Sequence, residues 1–483
     1  MKIPLLEKRD YDAVVVGSGP NGLAAAIAMQ QKGLSVLLIE GKETIGGGMR
    51  TAELTLPGFK HDICSAIHPL AISSPFFNTL PLANHGLEFI HSPIVAAHPF
   101  DDGTAAVLHN SLSQTAESLG ADAAGYNKLF RPLSANWEDL LPDVLSSLKW
   151  PQHPLQFAQF GLKALPSAKF IADKYFKTEK AKGLFAGMAA HSMQALDQPL
   201  TPAVAMVLML SGHHKGWPMI AGGSQNLANA LARYFLSLGG KIETGQVITA
   251  LDQLPSAHAI LFDTGPQQLM QIAGHKLSAF YKWQLKRYKY GLGVFKVDWA
   301  LDDVIPFTAS DCREAATVHL GGTFAEIAFA EKAAAFGKAV DRPFVLLAQQ
   351  SQFDKSRAPQ GKHTAWGYCH VPFGNTKDMT EVIENQIERS APGFRERVIG
   401  RHTFNALQMQ DYNANYIGGD INGGLQNISQ LFTRPALRSS PYRTSAKGIY
   451  ICSASTPPGG GVHGMCGYYA AKRAMKDVFK IAD

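Results

Sequence analysis

The chain has no CxxC pair. Its five cysteines, Cys64, Cys312, Cys369, Cys452 and Cys466, are widely spaced and odd in number. That pattern excludes a disulfide framework and a structural zinc site, and it fits a reducing compartment. No metal site is expected. There is no dense run of Lys and Arg with interleaved aromatics, so a net charge of +6 over 483 residues does not imply nucleic-acid binding. Long apolar runs are also missing. Ala203–Leu210 is too short to span a bilayer, and the stretch at Met1–Glu7 is too short for a signal peptide. A soluble or peripherally bound cytoplasmic protein is the expectation. Charged residues make up 17% and hydrophobic residues 46%, which permits a large core and excludes wholesale disorder. The length suits two or three domains. Neither an internal repeat nor a low-complexity tail occurs.

What is present begins with the apolar run Ala13–Val16, which suits a buried parallel strand. Gly17, Gly19 and Gly22 follow as GxGxxG, with Ser18, Pro20 and Asn21 between them, and then an Ala-rich helix over 23–31 stopped by Gly33. Ser35–Ile39 reads as a second buried strand ending at Glu40. Strand, glycine turn, helix and strand make a βαβ unit, the context that gives GxGxxG its meaning. Gly17 permits the tight turn, Gly19 lets backbone approach a pyrophosphate, and Gly22 lets helix and strand pack closely. The helix N-terminus favours the anion. Glu40 stands where an acid binds ribose hydroxyls, and it argues against a 2′-phosphate.

A second glycine turn, Gly46-Gly47-Gly48-Met49-Arg50-Thr51, follows closely after Glu40. A plain NAD fold has no such element. It suits a flavin whose ring and ribityl chain lie deep under the polypeptide, and Arg50 adds positive charge near phosphates or flavin. Residues 69–199 read as a separate, mainly helical region. Ala221-Gly222-Gly223-Ser224 opens a helix over 225–238. Strands are expected at 241–249, 258–263, 290–301, 342–349 and 363–370, a helix at 378–389, and a last strand at 448–452. Pro457-Pro458-Gly459-Gly460-Gly461 then leads into a helix over 464–479. No second GxGxxG directly after a strand follows Glu40, since the match at Gly459, Gly461 and Gly464 lies in the C-terminal turn, well past the strand at 448–452; reduction of a flavin by NADPH or NADH is therefore disfavoured, and the missing CxxC disfavours a disulfide reductase.

With the second motif in view, the chain resembles the phytoene desaturase-like branch of the FAD-dependent amine oxidase superfamily. The residues that carry the resemblance are 14–26 (VVVGSGPNGLAAA), the turn 46–51 (GGGMRT), the middle element 217–224 (WPMIAGGS) and the end 448–467 (GIYICSASTPPGGGVHGMCG). They reach across about the whole chain. The resemblance implies an α/β fold: an FAD-binding two-dinucleotide Rossmann-like domain from residues 1–70, 215–290 and 440–483, and an α+β substrate domain with a mixed sheet and helices from 71–214 and 291–439. It implies one FAD contacted by Gly17, Gly19, Pro20, Asn21, Gly22, Glu40, Gly47, Gly48, Met49, Arg50, Ser455, Gly460, Gly461 and Val462. Val247 would hold adenine through its backbone. Two departures stand out. The glycine-rich β-hairpin that normally follows the adenine strand is truncated to 250–257, and the next strand ends at Phe262-Asp263-Thr264-Gly265-Pro266, where relatives have a small residue and Asn.

Candidates for chemistry follow. Lys296 and Asp298 share one face of an otherwise apolar strand with Val294 and Ala300. Lys296 looks like the amine-oxidase lysine that holds a water against the flavin, where an ammonium stabilises charge on the reduced ring; alternatively the two residues form a plain ion pair. His191, His213 and His214 are either acid–base residues or structural. His463 lies in the C-terminal turn beside the predicted flavin ring and is either an acid–base residue or structural, and Cys466 reads as packing. Residues 155–182, aromatic and holding six lysines, either rest on an anionic membrane surface or form a helix pair with solvated lysines. Residues 415–424 approach the flavin or form a surface loop. The function expected is an FAD-dependent oxidoreductase acting on a small lipophilic, isoprenoid-type substrate, with oxygen or a quinone as acceptor. The alternative is a non-enzymatic lipid carrier or regulator on the same fold, as in Rab GDP-dissociation inhibitors.

Overall fold

The computed structural model describes residues 8–147 and 149–481. β1 (Tyr11–Val16) leads through the glycine turn into α1 (Pro20–Gln30) and back to β2 (Val36–Ile39). The chain then leaves this unit. β3 (Ala96–Pro99) and β4 (Ala105–Leu108) form an antiparallel pair, followed by α2 (Pro154–Ala164), α3 (Ala168–Tyr175), α4 (Glu179–Ala190) and α5 (Thr201–Lys215). It returns through α6 (Gln225–Ser237), β5 (Lys241–Glu243) and β6 (Ala257–Phe262). A second excursion lays down β7 (Gly293–Leu301), β8 (Thr317–Leu320), α7 (Phe324–Ala335), β9 (Val345–Ala348), β10 (His363–Val371) and β11 (Val398–Phe404). β12 (Ile449–Ile451) and α8 (Met465–Ala474) close the chain.

Two sheets result. The first is parallel and five-stranded, in the order β12-β6-β1-β2-β5. Apart from the exposed edge strand β5, its strands carry apolar runs because helices cover its faces. The second is mixed and seven-stranded, in the order β11-β7-β10-β9-β8-β3-β4, with β8 and β3 parallel. The architecture is α/β with a Rossmann-like unit and a mixed-sheet unit. Strands of the first sheet come only from residues 11–16, 36–39, 241–243, 257–262 and 449–451, so three distant pieces of chain build one layer.

Gly17 adopts φ +100°, a left-handed conformation that favours glycine. A Cβ on Gly22 would stand 1.9 Å from the Gly17 carbonyl, so the turn closes only with glycine there. α8 packs just as closely: a Cβ on Gly467 would lie 1.7 Å from the Asn21 carbonyl. The C-terminal helix therefore rests on the first turn of α1.

Several sequence expectations are corrected at their boundaries. The strand expected at 241–249 stops at Glu243. Gly245 N–H donates to the Lys42 carbonyl and Gln246 N–H to the Glu40 carbonyl, so the chain turns across the end of β2 instead of running beside it. Val247 thus lies on an irregular loop. The strand expected from residue 290 begins at Gly293, because Gly291 N–H is taken by the Asp420 carboxyl. The last helix ends at Ala474 and continues as one wider turn, Met475–Phe479.

Candidate active site

A cavity of about 820 Å³ runs from the carboxyl ends of the parallel strands to the mixed sheet. Such a position, beyond the strand ends of an open α/β sheet, is where this architecture binds ligands. Glu40, Gln246 and Val247 line one end. Gly17, Gly19, Pro20, Asn21 and Asp263 follow, then Gly47, Gly48 and Arg50 facing Gly461 and Val462. The far end is Leu208, Trp217, Leu346, Trp366, Tyr368 and His191. The glycine motifs from both ends of the chain meet in one wall.

Not every expected residue reaches that wall. Gly22 and Met49 are buried in the packing behind it; Met49 is fully buried. Ser455 turns inward, its hydroxyl 2.7 Å from that of Ser453, while its neighbour Ala454 lines the cavity. Gly460 packs against the Asn422 carbonyl, where a Cβ would come within 2.8 Å. Residues 415–424 do approach: Asn415, Tyr416, Ile421, Asn422 and Gly423 all line the cavity.

Glu40 is more heavily engaged than its motif suggests. One carboxylate oxygen accepts from Ser18 N–H at 3.0 Å and from the Ser18 hydroxyl. The other accepts from Lys42 N–H at 2.9 Å and from Arg50 Nη2 at 3.0 Å. Four donors meet the roughly four lone-pair positions a carboxylate offers. A ribose hydroxyl would reach Glu40 only by displacing one of them, and the rotatable Ser18 hydroxyl is the most easily moved. Arg50 also donates to the Thr44 carbonyl and packs over the Tyr412 ring.

Asp263, the departure at the end of β6, sits in the glycine turn. Its Oδ2 accepts from Gly22 N–H at 2.9 Å, and a Cβ on Gly19 would lie 2.7 Å from that oxygen. Burial pushes its carboxyl well above the usual carboxylate range; the Gly22 amide opposes this and the Glu40 charge adds to it. The neutral form, which carries no charge against an incoming phosphate, is thereby favoured. Asn21 Oδ1, at the same turn, has no partner among the described residues. The glycine cradle, the long cavity and the largely neutral turn together fit a flavin dinucleotide.

Among the catalytic candidates, Lys296 lies behind the cavity wall. Its ammonium bonds the Asp298 carboxylate, and both side chains are buried. It packs over the Trp366 ring at 5.3 Å, and Trp366 lines the cavity. His61 and His402 flank the same carboxylate at 3.6 and 3.7 Å. Burial pushes Asp298 up, but Lys296, His402 and His61 outweigh it and hold the carboxyl below its usual value.

His463 is turned away, its Nδ1 accepting from Met465 N–H at 3.0 Å. His213 is held by the Tyr126 hydroxyl at 2.7 Å and the His109 carbonyl, outside the cavity. Burial lowers both rings to about 4. His214 meets Ser134. Of the three histidines weighed together, only His191 lines the cavity. Cys466 lies in the core, its thiol near the Thr456 and Gly459 carbonyls. The lining residues Tyr368, Trp366 and Leu346 were missed by sequence reasoning. Strand periodicity placed them on a face, but nothing in it said which face meets a cavity.

Residues 15–79 match the NAD(P)-binding Rossmann-like domain family. The chain is 26% identical to pyridine nucleotide-disulfide oxidoreductase domain-containing protein 2 of Rattus norvegicus, over 98% of this chain and 94% of that protein. It is 21% identical to one of the limonene dehydrogenase subunits of Castellaniella defragrans, over 98% and 96%. Among solved structures, putrescine oxidase bound to putrescine superposes with a TM-score of 0.63 at 15% identity, covering 98% and 99%. An oxidoreductase from Methanosarcina mazei gives 0.62 at 16%, covering 96% and 99%. Over nearly its whole length the chain is similar to the phytoene desaturase-like branch of the FAD-dependent amine oxidase superfamily, and it is an FAD-dependent oxidoreductase.

Proposed function

We propose that this oxidoreductase holds FAD lengthwise in the cavity and oxidises a lipophilic, isoprenoid-type substrate at the far end. The adenine end would lie at Glu40 and Val247, the pyrophosphate at Gly17–Gly22, and the ring between Gly47–Gly48 and Gly461–Val462. The observation that carries this reading is one continuous cavity, glycine-lined at one end and walled by Leu208, Trp217, Leu346 and Trp366 at the other. When bound, the flavin supplies the electron acceptor for the substrate, and oxygen or a quinone then takes those electrons. The chain's own part is to bind and to exclude water. The α1 amides and Arg50 hold the cofactor's polar half, and the apolar wall dries the reacting end. Purified protein is expected to be yellow. A preparation that stays colourless after incubation with excess FAD would favour the lipid-carrier alternative and overturn the enzyme reading.

A second element of the proposal concerns access. No helix among the described residues is long and apolar enough to cross a membrane. Yet Trp150, Leu155, Leu162 and Phe170, on and before α2 and α3, expose half or more of their surface beside Lys163, Lys169 and Lys174. Exposed apolar side chains rimmed by lysines suit an anionic bilayer surface, so residues 155–182 are proposed as a peripheral membrane contact that delivers the substrate. Flotation with phosphatidylserine vesicles but not with phosphatidylcholine vesicles is the expected result. Flotation with neither removes this element.

A further inference from the structure

The cavity reaches one side chain whose role neither glycine motif explains. His191, just past α4, lines the wall beside Trp217 and Leu208. Its Nε2 lies 2.9 Å from Nε2 of His319, a fully buried residue on β8. Burial lowers His191 to about 3 and His319 well below its usual value, so both rings are neutral near pH 7. Two neutral imidazoles share such a contact only if one Nε2 carries its proton and the other accepts it.

The surroundings decide which. His319 Nδ1 has no partner among the described residues. It packs against Gly187 of α4, where a Cβ would stand 3.0 Å away. A proton on that Nδ1 would be a buried donor left unpaired, which costs the full desolvation of the N–H. A bare lone pair against a glycine Cα–H is the milder situation. The His319 proton therefore sits on Nε2 and points at His191. His191 Nε2 must accept it, which puts the His191 proton on Nδ1, the nitrogen not engaged by His319.

We propose that His191 offers this Nδ1–H to a carbonyl or hydroxyl oxygen of the substrate, so that the substrate class is an oxygenated lipophile and not a pure hydrocarbon. His319 is the positioning residue that fixes the tautomer. The proposal rests on reading the far end as the substrate chamber. Apolar neighbours shield the bond from water there, and a ligand without the oxygen leaves a donor unpaired, which is how a site rejects it.

The FAD-loaded protein is titrated with farnesol and with β-farnesene, which share a carbon skeleton, and the flavin spectrum and tryptophan fluorescence are followed. Farnesol is expected to bind about tenfold more tightly, the effect of one well-shielded hydrogen bond. His191→Gln keeps an amide near the Nε2 position but offers nothing at Nδ1, so it should lose that preference with farnesene affinity unchanged. His191→Asn places an amide near the Nδ1 position and should keep most of it. Nitrogen-15 spectra should show His191 protonated at Nδ1 and His319 at Nε2. Equal binding of both probes to the unmodified protein, an undiminished preference in His191→Gln, or the reverse tautomers would overturn the anchor alone. Binding of neither probe would instead overturn the lipophilic-substrate reading, and the anchor with it.

Discussion

The two ends of the cavity are built by different means. At the glycine-rich end the wall is backbone: Gly17, Gly19, Gly47 and Gly461 bring amides and carbonyls to the surface because no Cβ intervenes. At the mixed-sheet end the wall is side chain: Leu346 and Tyr368 stand opposite each other on β9 and β10, with His319 next in the same row on β8. Backbone walls are unforgiving of any added atom, whereas side-chain walls are tuned by exchanging one group for another. Substitutions at the first end should therefore act on cofactor occupancy, and at the second on substrate choice.

The largest effect should come from Gly19→Val. Its Cβ would meet Asp263 Oδ2 at 2.7 Å and fill the turn, so FAD occupancy should vanish while circular dichroism still reports a folded chain. Trp366→Leu, at the other end, should leave occupancy intact. If Gly19→Val purifies yellow, the division between the two ends is false.

Lys296→Met probes the boundary between them. It leaves the Asp298 charge buried with only histidines beside it, and removing one partner of a buried pair costs about 3–5 kcal/mol. Denaturant unfolding should show that loss. Asp298→Asn should show a comparable one. The rates of flavin reduction by dithionite and of reoxidation by oxygen should change little, because Trp366 stands between the ammonium and the cavity. A roughly hundredfold drop in those rates with stability preserved would make the lysine a catalytic residue like that of amine oxidases.

Asp263→Asn sharpens the comparison at the cofactor end through pH. The folded apoprotein already holds this carboxyl above its usual range, and a bound pyrophosphate would raise it further. FAD binding then takes up a proton wherever the free site is ionised and the loaded site is not. Affinity should fall as pH rises through the apoprotein value, by about tenfold per pH unit, and level off above the loaded value. Glu40, Cys452 and Cys466 also face this group. Burial holds both thiols above their ordinary range, and the Asn variant isolates the contribution of Asp263. Isothermal titration of the apoprotein should find the Asn variant flat across that window and tighter at its upper end. An unchanged slope in the variant would assign the proton elsewhere. The stability sign is parallel: a carboxyl with a raised folded value costs stability as pH rises above its unfolded value, so Asp263→Asn should stabilise the apoprotein at neutral pH but not in acid.

The smallest expected effect is an absence of one. Stopped-flow mixing with NADPH or NADH should not bleach the oxidised flavin rapidly, since the one other GxGxxG, at 459–464, belongs to the wall of the same cavity and does not open a second strand–turn–helix unit. Fast, saturable bleaching would mean that the sheet-side end admits a second nucleotide.

What the sequence determined by itself is the backbone half. Gly17-Ser18-Gly19-Pro20-Asn21-Gly22 between two apolar strands, with Glu40 after the second, is a local pattern. Its turn, helix and strands lie within one βαβ unit, so fold class, cofactor and the N-terminal part of the glycine wall were legible, whereas Asp263, which reaches Gly22 N–H from the end of β6, is outside that pattern. The convergence of residues 457–467 on that turn was legible only through family resemblance, because α8 meets α1 across more than four hundred positions. The side-chain half was decided by tertiary structure. Alternation along residues 293–301 put Lys296 and Asp298 on one face, but whether that face met flavin or His61, on the antiparallel pair Thr51–Glu53 and Lys60–Asp62, depended on how distant segments pack. His191 and His213 look alike in sequence, each a histidine near a helix end. Only β8, arriving with His319, kept one at the cavity, and only Tyr126 and the His109 carbonyl drew the other away from it. Even Glu40, read correctly as the acid after β2, has its lone pairs filled by Ser18, Lys42 and Arg50. That occupancy follows from where the second glycine turn folds back, and no spacing rule contains it.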